Sequence, residues 1–122
     1  MLKKEFNSWL KWLRSGKVIQ GKGKLCQINE DSGELEYCCL GVYLDKVKKI
    51  PKVKMKNKSL YRFMQQTENL PASIVKKDFY DYHGQHINYG KNLATLNDEG
   101  NSFEKIANIL KVEPETYVKK EW

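Results

Sequence analysis

The side chains that could perform chemistry include few thiols and imidazoles. Cys26, Cys38 and Cys39 are the only cysteines, and His83 and His86 are the only histidines. An odd number of cysteines with an adjacent pair fits neither a disulfide framework nor a C-x-x-C metal site. A thiol nucleophile needs a nearby base, and both histidines lie far downstream of the cysteines. We therefore expect the cysteines to be reduced residues of the core.

The two histidines have the His-x-x-His spacing of a metal-binding pair. Zinc takes three or four ligands, and only Cys38 and Cys39 could complete the set around His83 and His86. The cysteines are better explained as core residues. The sequence therefore predicts neither a metal site nor a cofactor.

The carboxylates also have an ordinary explanation. Asp98, Glu99 and Glu104 lie close together in sequence, but acids beside a helix N-cap normally complement the helix dipole. The sequence has no Walker loop, no G-x-G-x-x-G after a strand and no G-x-S-x-G motif. We therefore predict that the chain is not an enzyme.

Composition predicts one domain with an anionic partner. The 122 residues carry a formal charge of +7, which favours nucleic acid, nucleotide or membrane headgroup. All basic residues except Arg14 and Arg62 are lysines, and a solubilising lysine coat explains most of them. No stretch reaches the roughly 18 apolar residues that a membrane span needs. We expect a soluble, cytoplasmic protein with no membrane partner.

Hydrophobic periodicity predicts an α+β fold with an N-terminal helix, a small antiparallel sheet and a C-terminal helical pair, in a single domain over residues 1–122. The predicted elements are a helix from Leu2 to Leu13, a β-hairpin over 17–38, a buried helix over 38–47, a strand with one cationic face over 51–60, a short helix over 70–75, and helices over 92–99 and from Ser102 onward. Gly21 and Gly23 would weaken the first hairpin strand unless backbone or ligand approaches closely there.

The segment from Phe79 to Gly90 is the most aromatic part of the chain. Its polar groups and glycines favour a loop with aromatic faces. Such rings could stack on a nucleobase, while amides such as Gln20 and Asn97 could bond its edge. The alternative is that Tyr80 and its neighbours simply cover a small core.

A second hypothesis concerns the C-terminus. Residues 102–118 have the apolar rhythm of a helix-turn-helix. Against this interpretation, Glu113 and Glu115 would begin the recognition helix and repel phosphate, and Lys111 stands where glycine is common in the turn. A nucleic-acid-binding or transcription-regulating module remains the alternative function.

Three groups of residues carry a family resemblance. They are Trp12–Lys17 followed by Gln20–Leu25, then Tyr37–Val42 with its Cys-Cys-Leu-Gly-Val run, and finally Leu96–Gly100 with Ser102-Phe103 and Ile106-Ala107. These motifs, in this order, resemble small phage-encoded proteins of the Thoeris anti-defence protein 1 family. They cover about a third of the chain.

The resemblance implies a protein that sequesters a cyclic ADP-ribose isomer, or a related cyclic nucleotide, made by a bacterial TIR-domain enzyme, without cleaving it. It also implies the cytoplasm of an infected or lysogenic bacterium, and nucleic acid becomes an unlikely partner. Tight binding of a small ligand is easier to build between subunits, so we expect a homo-oligomer. The residues expected to bind the ligand are Arg14, Gln20, Lys22, Arg62, Phe79, Tyr82, Asn92 and Asp98.

Overall fold

The computed structural model describes residues 1–84 and 92–122, in which a first helix is followed by groups of short strands and then by helices. The helices are Lys3–Arg14 (α1), Cys39–Val42 (α2), Ala72–Asp78 (α3), Leu93–Asp98 (α4), Phe103–Val112 (α5) and Pro114–Tyr117 (α6), and a π-helical turn, Tyr43–Val47, continues α2. The strands are Ile19–Gln20 (β1), Cys26–Ile28 (β2), Leu35–Tyr37 (β3), Lys52–Lys54 (β4) and Tyr61–Phe63 (β5). The predicted α+β class is confirmed.

Helix α1 forms because its apolar residues recur at helical spacing. Phe6, Trp9, Leu10 and Leu13 are buried along one face, which packs against α5. The helix ends at Arg14, and Gly16 follows in the left-handed region at a φ of 70°, where glycine has no steric penalty.

The predicted hairpin is only partly correct. Strands β2 and β3 pair antiparallel, but the residues before them break into a separate strand, β1, which pairs parallel to β3 on its other edge. Gly21 interrupts the expected long strand, and its backbone lies so close to β3 that an added Cβ would be 2.8 Å from the Glu36 Cβ. A close approach of this kind is therefore present at Gly21, whereas an added Cβ at Gly23 would have no atom within 4 Å.

The predicted cationic strand is shorter than expected, and its lysines are not all free. Strand β4 ends at Lys54, and a turn with Asn57 at a φ of 59° leads back towards β5. Lys52 faces the body of the protein, where its Nζ donates to the Asp45 carboxylate at 3.1 Å. Val53 on the opposite face is exposed instead. The row of lysines is thus not one uniform phosphate-facing surface.

The C-terminal helices begin close to the predicted positions, and each start has a side-chain cap. The Asn92 side chain accepts from the Thr95 N–H, and the Ser102 side chain accepts from the Lys105 N–H. Gly100 lies between α4 and α5 at a φ of 93°. These signals place both helix starts correctly from sequence.

A single core joins the helices and the three-stranded sheet. Its centre contains an aromatic cluster in which the rings of Trp9, Tyr43 and Phe79 lie 5.1 to 5.9 Å apart, and all three side chains are fully buried. The Trp9 indole N–H donates to the Cys39 carbonyl, which satisfies its one polar group.

Among the described helices, none combines the length and apolar character needed to cross a membrane.

Candidate functional site

A cleft of about 270 Å³ lies where the loop after β1, the start of α2 and helix α4 meet. It is open to solvent on one side. The residues lining this α4 cleft are Gly23, Lys24, Cys38, Glu68, Asn69, His83, Asn92, Ala94, Thr95 and Asp98. Its described walls therefore come from five separate segments of the chain.

The buried amide of Asn97 fixes these segments to one another. Its Nδ2 donates to the Gly21 carbonyl at 2.8 Å. Its Oδ1 accepts from the Gln20 side chain at 2.9 Å and from the Cys39 N–H at 3.2 Å. Because the Asn97 side chain is fully buried, each of these bonds is protected from water. Asn97 thus sets the position of α4 relative to β1 and α2.

Two further close contacts join the segments that surround the cleft. The Asp98 Oδ1 accepts from the Gly23 N–H at 2.9 Å, which ties the loop after β1 to the end of α4. Gly41 in α2 lies against the backbone before β2, so that an added Cβ would be only 1.8 Å from the Leu25 oxygen. The motifs Gly-Lys-Gly-Lys-Leu, Cys-Cys-Leu-Gly-Val and Leu-Asn-Asp-Glu-Gly meet at these contacts.

The charged groups of the cleft are one lysine and two carboxylates. Lys24 forms an ion pair with Glu68, and both side chains are partly exposed. Asp98 is exposed and faces the loop rather than a cation. Among Lys24, Glu68 and Asp98, the carboxylates therefore outnumber the ammonium group.

Three lining side chains remain for a ligand. The Asn69 amide, the His83 imidazole and the Thr95 hydroxyl form no side-chain hydrogen bond with another described residue. An amide, an imidazole and a hydroxyl can each donate and accept. They suit a neutral ligand that has hydroxyl groups or a heterocyclic edge.

Asn92 has a structural task in addition to lining the cleft. Its Oδ1 caps α4 by accepting from the Thr95 N–H at 2.7 Å. Loss of such a cap costs about 1 kcal/mol of stability. Replacement of Asn92 by alanine would therefore change both the helix and the cleft.

The thiol of Cys38 lies against the cleft but is not activated. Burial raises its pKa to about 11, although the N–H groups of Gly41 and Leu40 oppose the shift. Burial likewise raises the pKa of Cys26 to about 11 and that of Cys39 well above its usual value. All three cysteines are free and buried, as predicted.

Of the predicted ligand-binding residues, Asn92 and Asp98 line the cleft. Gln20 does not; its amide is used within the fold, where Nε2 donates to the Asn101 carbonyl and Oε1 accepts from the Phe103 N–H. Lys22 is exposed, and its Nζ lies 3.9 Å from where a Cβ on Gly100 would be. The predicted set is thus only partly brought together.

The two predicted arginines lie outside the cleft. Arg14 donates to Asn108 at 2.6 Å and pairs with Glu104 at 3.5 Å across the packing of α1 against α5. Arg62 donates to the Met64 carbonyl at 2.8 Å. None of these partners lines the cleft. Both arginines therefore bond to groups of the fold that lie outside the cleft.

Phe79 is a core residue rather than a stacking surface. Its ring is fully buried and meets Trp9 and Tyr43 edge-on, so no face is open to a ligand. Tyr82 is 50% exposed and adjoins His83, yet it does not line the cleft. His86 and Tyr89 lie outside the described residues. Sequence could not separate these rings, because aromatic residues favour cores and binding surfaces alike.

Helix α6 has only four residues, with Thr116 and Tyr117 buried, so residues 102–118 lack the second helix that a helix-turn-helix places in a groove.

Within residues 1–84 and 92–122, no group of three or more His, Cys, Asp or Glu side chains is arranged to hold a metal ion. His83 is described, but its predicted partner His86 is not.

Sequence reasoning missed Asn69, Thr95 and the central role of Asn97. Asn69 precedes Leu70-Pro71 in a segment without periodicity, so no sequence signal marks it. Thr95 lies beyond the Asn92 cap, where a polar side chain was to be expected. Asn97 follows the buried Leu96 and precedes the exposed Asp98. Its place beside the apolar face of the helix is the one sequence feature that could have indicated a buried amide.

Comparison with known proteins gives one family. A family model described as a domain of unknown function, DUF8296, matches residues 1–114. Neither the curated proteins nor the solved structures contain a match to the chain. The α4 cleft and all the contacts that form it lie within the matched residues.

Proposed function

The chain belongs to the DUF8296 family, and we propose that it binds a nucleoside-containing small molecule in the α4 cleft and releases it chemically unchanged. The observation that carries this proposal is the group of hydrogen-bonding side chains with no described partner, Asn69, His83 and Thr95, in one cleft. They are the groups that recognise a base edge or a ribose.

The charge of the cleft supports a nucleoside part rather than a phosphate part. Asp98 and Glu68 can accept from ribose hydroxyls, whereas Lys24 is the one lining cation and is already paired with Glu68. Phosphate groups need donors or positive charge. We therefore place the base and ribose in the cleft and any phosphate outside it.

The size of the cleft sets a limit on the ligand. Ligand pockets generally begin near about 300 Å³, and the α4 cleft has about 270 Å³ with one open side. A nucleoside fits this space, whereas a cyclic ADP-ribose isomer with two riboses extends beyond it. Sequestration of such a messenger, which the phage-protein resemblance implies, would require a second copy of the chain to cover the open side.

An unreactive thiol at the cleft supports release of the ligand in unchanged form. The nearest thiol, Cys38, has a pKa raised to about 11, so almost none is thiolate at neutral pH. Binding without turnover needs complementarity to the ground state of the ligand only. The proposed function is therefore capture.

Calorimetric titration of the full chain tests this proposal, with adenosine and cyclic ADP-ribose as the probes. We expect both to bind, and mass spectrometry to recover both unaltered after the complex is heated. Asn69→Ala should weaken adenosine binding about tenfold, the effect of one lost hydrogen bond of about 1.4 kcal/mol.

The matched control is Asn108→Ala, because Asn108 is an exposed amide on α5 outside the cleft. It should bind adenosine as the unchanged protein does. Equal affinity in both variants would remove Asn69 from the site. An altered ligand after heating would replace capture with catalysis.

A further inference from the structure

A second concave surface lies on the exposed side of α1. This Trp12 groove has a volume of about 280 Å³ and is lined by Ser8, Lys11, Trp12, Ser15 and Lys17. Four of these residues recur at helical spacing on one face of α1 and the segment after it, which is why a single short stretch of sequence forms the groove. The groove is separate from the α4 cleft, and the two share no lining residue.

The charge of the Trp12 groove is opposite to that of the α4 cleft. Its lining includes two lysines and no carboxylate, whereas the cleft has two carboxylates and one lysine. Lys11 and Lys17 are both exposed, and neither forms an ion pair with a described residue. Two cations at one small opening favour an anion.

The indole of Trp12 is held in position before any ligand arrives. It is half-buried and packs against the core, and the Lys46 Nζ lies 5.3 Å from its ring centroid. The same ammonium lies 5.7 Å from the ring of Tyr37. A ring that is already fixed loses little conformational freedom when a second ring stacks on it.

We propose that the Trp12 groove binds a nucleotide, with the base stacked on the indole and the phosphate between Lys11 and Lys17. Stacking on an aromatic side chain tolerates every base, and the lysines supply the charge that the phosphate requires. The hydroxyl of Ser8 lies in the same groove as a further donor. This proposal does not depend on the α4 cleft.

Tryptophan fluorescence tests the groove directly in the full chain carrying Trp122→Phe. That background leaves Trp12 as the accessible indole, because Trp9 is fully buried and Trp122 is 42% exposed. We expect AMP to quench the emission, and adenosine, which lacks the phosphate, to bind at least about tenfold more weakly. Lys11→Gln with Lys17→Gln should weaken AMP binding about tenfold without changing the melting temperature.

Lys105→Gln with Lys111→Gln is the matched control, since it removes the same charge from two exposed lysines of α5. It should leave AMP binding nearly unchanged, and so should Asn69→Ala, which separates the groove from the α4 cleft. The proposal is overturned if AMP does not quench, if adenosine equals AMP, or if both lysine pairs have the same effect.

A hexamer of deoxyadenylate identifies the source of the nucleotide. Binding more than about tenfold tighter than AMP, with a log affinity that falls with log salt at a slope of about −1.4 for two phosphate contacts, would support a nucleotide within a single strand. Binding no tighter than AMP would support a free nucleotide. Either result supports the groove and its chemistry.

Discussion

At the scale of single residues, the polar groups near the α4 cleft divide into those that hold the fold and those that face solvent. Asn97 and Gln20 are of the first kind, because their amides join α4 to β1, α2 and α5. Asn69 and Thr95 are of the second kind. Residue type alone could not make this distinction, since an amide has the same donors and acceptors in either place.

Asn97→Ala should destabilise the protein by about 3 kcal/mol, because it removes the partner of the Gly21 carbonyl, the partner of the Cys39 N–H and one of the two acceptors of the Gln20 amide, at about 1 kcal/mol for each lost bond. Urea denaturation followed by circular dichroism measures this loss. Asn108→Ala, which removes an exposed amide with one hydrogen bond from Arg14, should cost about 1 kcal/mol or less. Equal losses in the two variants would show that the Asn97 bonds do not hold the fold.

Glu5 makes the stability of the folded protein depend on pH. Burial alone would raise its pKa, but hydrogen bonds from Lys48 at 2.8 Å and from the Leu2 N–H at 2.9 Å outweigh burial and lower the pKa from 4.5. The folded state therefore holds the Glu5 proton less tightly than the unfolded state. Its contribution to stability is present above pH 4.5 and is lost as the pH falls through the lowered pKa.

Glu5→Gln removes this titration, so its free energy of unfolding should fall less between about pH 5 and pH 3 than that of the unchanged protein. Urea denaturation at a series of pH values provides the comparison. Glu115→Gln, at an exposed position of α6, should keep the unchanged protein's slope. A slope in Glu5→Gln as steep as in the unchanged protein would mean that Glu5 is not paired with Lys48.

At the scale of elements, sequence predicts the helices better than the strands. The starts of α4 and α5 follow from their Asn92 and Ser102 caps, and the buried face of α1 follows from its spacing. The sheet could not be predicted to the same degree, because strands of two or three residues give too few alternations to set a register. The parallel pairing of β1 with β3 depends on contacts far apart in sequence, through Gln20 and Asn97.

Packing of α2 against the segment before β2 depends on one glycine. Gly41→Ala places a methyl group 1.8 Å from the Leu25 oxygen, so the backbone must move. We expect a loss of about 3 kcal/mol or more, or no folded protein. Thermal and urea unfolding of the purified variant, or its recovery in the insoluble fraction, records the outcome.

Gly16→Ala is the matched control for this change. Gly16 has a φ of 70° but nothing within 4 Å of an added Cβ, so the variant has backbone strain without a collision. The expected cost is about 1 kcal/mol. If Gly41→Ala were as mild as Gly16→Ala, the close packing of α2 on Leu25 would be contradicted.

At the scale of the whole molecule, a buried ionic cluster joins the two ends of the described chain to its centre. Asp78, which is fully buried, accepts from the Tyr43 hydroxyl at 2.8 Å and lies 3.3 Å from the Lys48 ammonium and 3.3 Å from the Met1 ammonium. The Lys119 N–H donates to the Asp78 carbonyl. Removing one member of such a cluster leaves an uncompensated buried charge, so the cluster specifies one arrangement of α1, α3 and the C-terminal segment.

The two concave surfaces of the molecule, the α4 cleft and the Trp12 groove, differ in charge. The α4 cleft is polar with an excess of carboxylates, and the Trp12 groove is cationic with an indole. The charge of +7 predicts an anionic partner, but composition alone does not say where on the surface the positive charge lies. The sequence supplies the residue types of both surfaces, whereas their distribution between the cleft and the groove depends on the packing of α1 and α4.

Capture of a nucleoside by the α4 cleft is tested most directly by nuclear magnetic resonance of the ¹⁵N-labelled chain titrated with adenosine. We expect the signals of the Gly23 and Thr95 N–H groups and of the Asn69 side-chain amide to shift together, with one dissociation constant, and the Asn108 amide signal to stay in place. Unchanged signals at the cleft under saturating adenosine, or shifts confined to the Trp12 indole N–H, would contradict it.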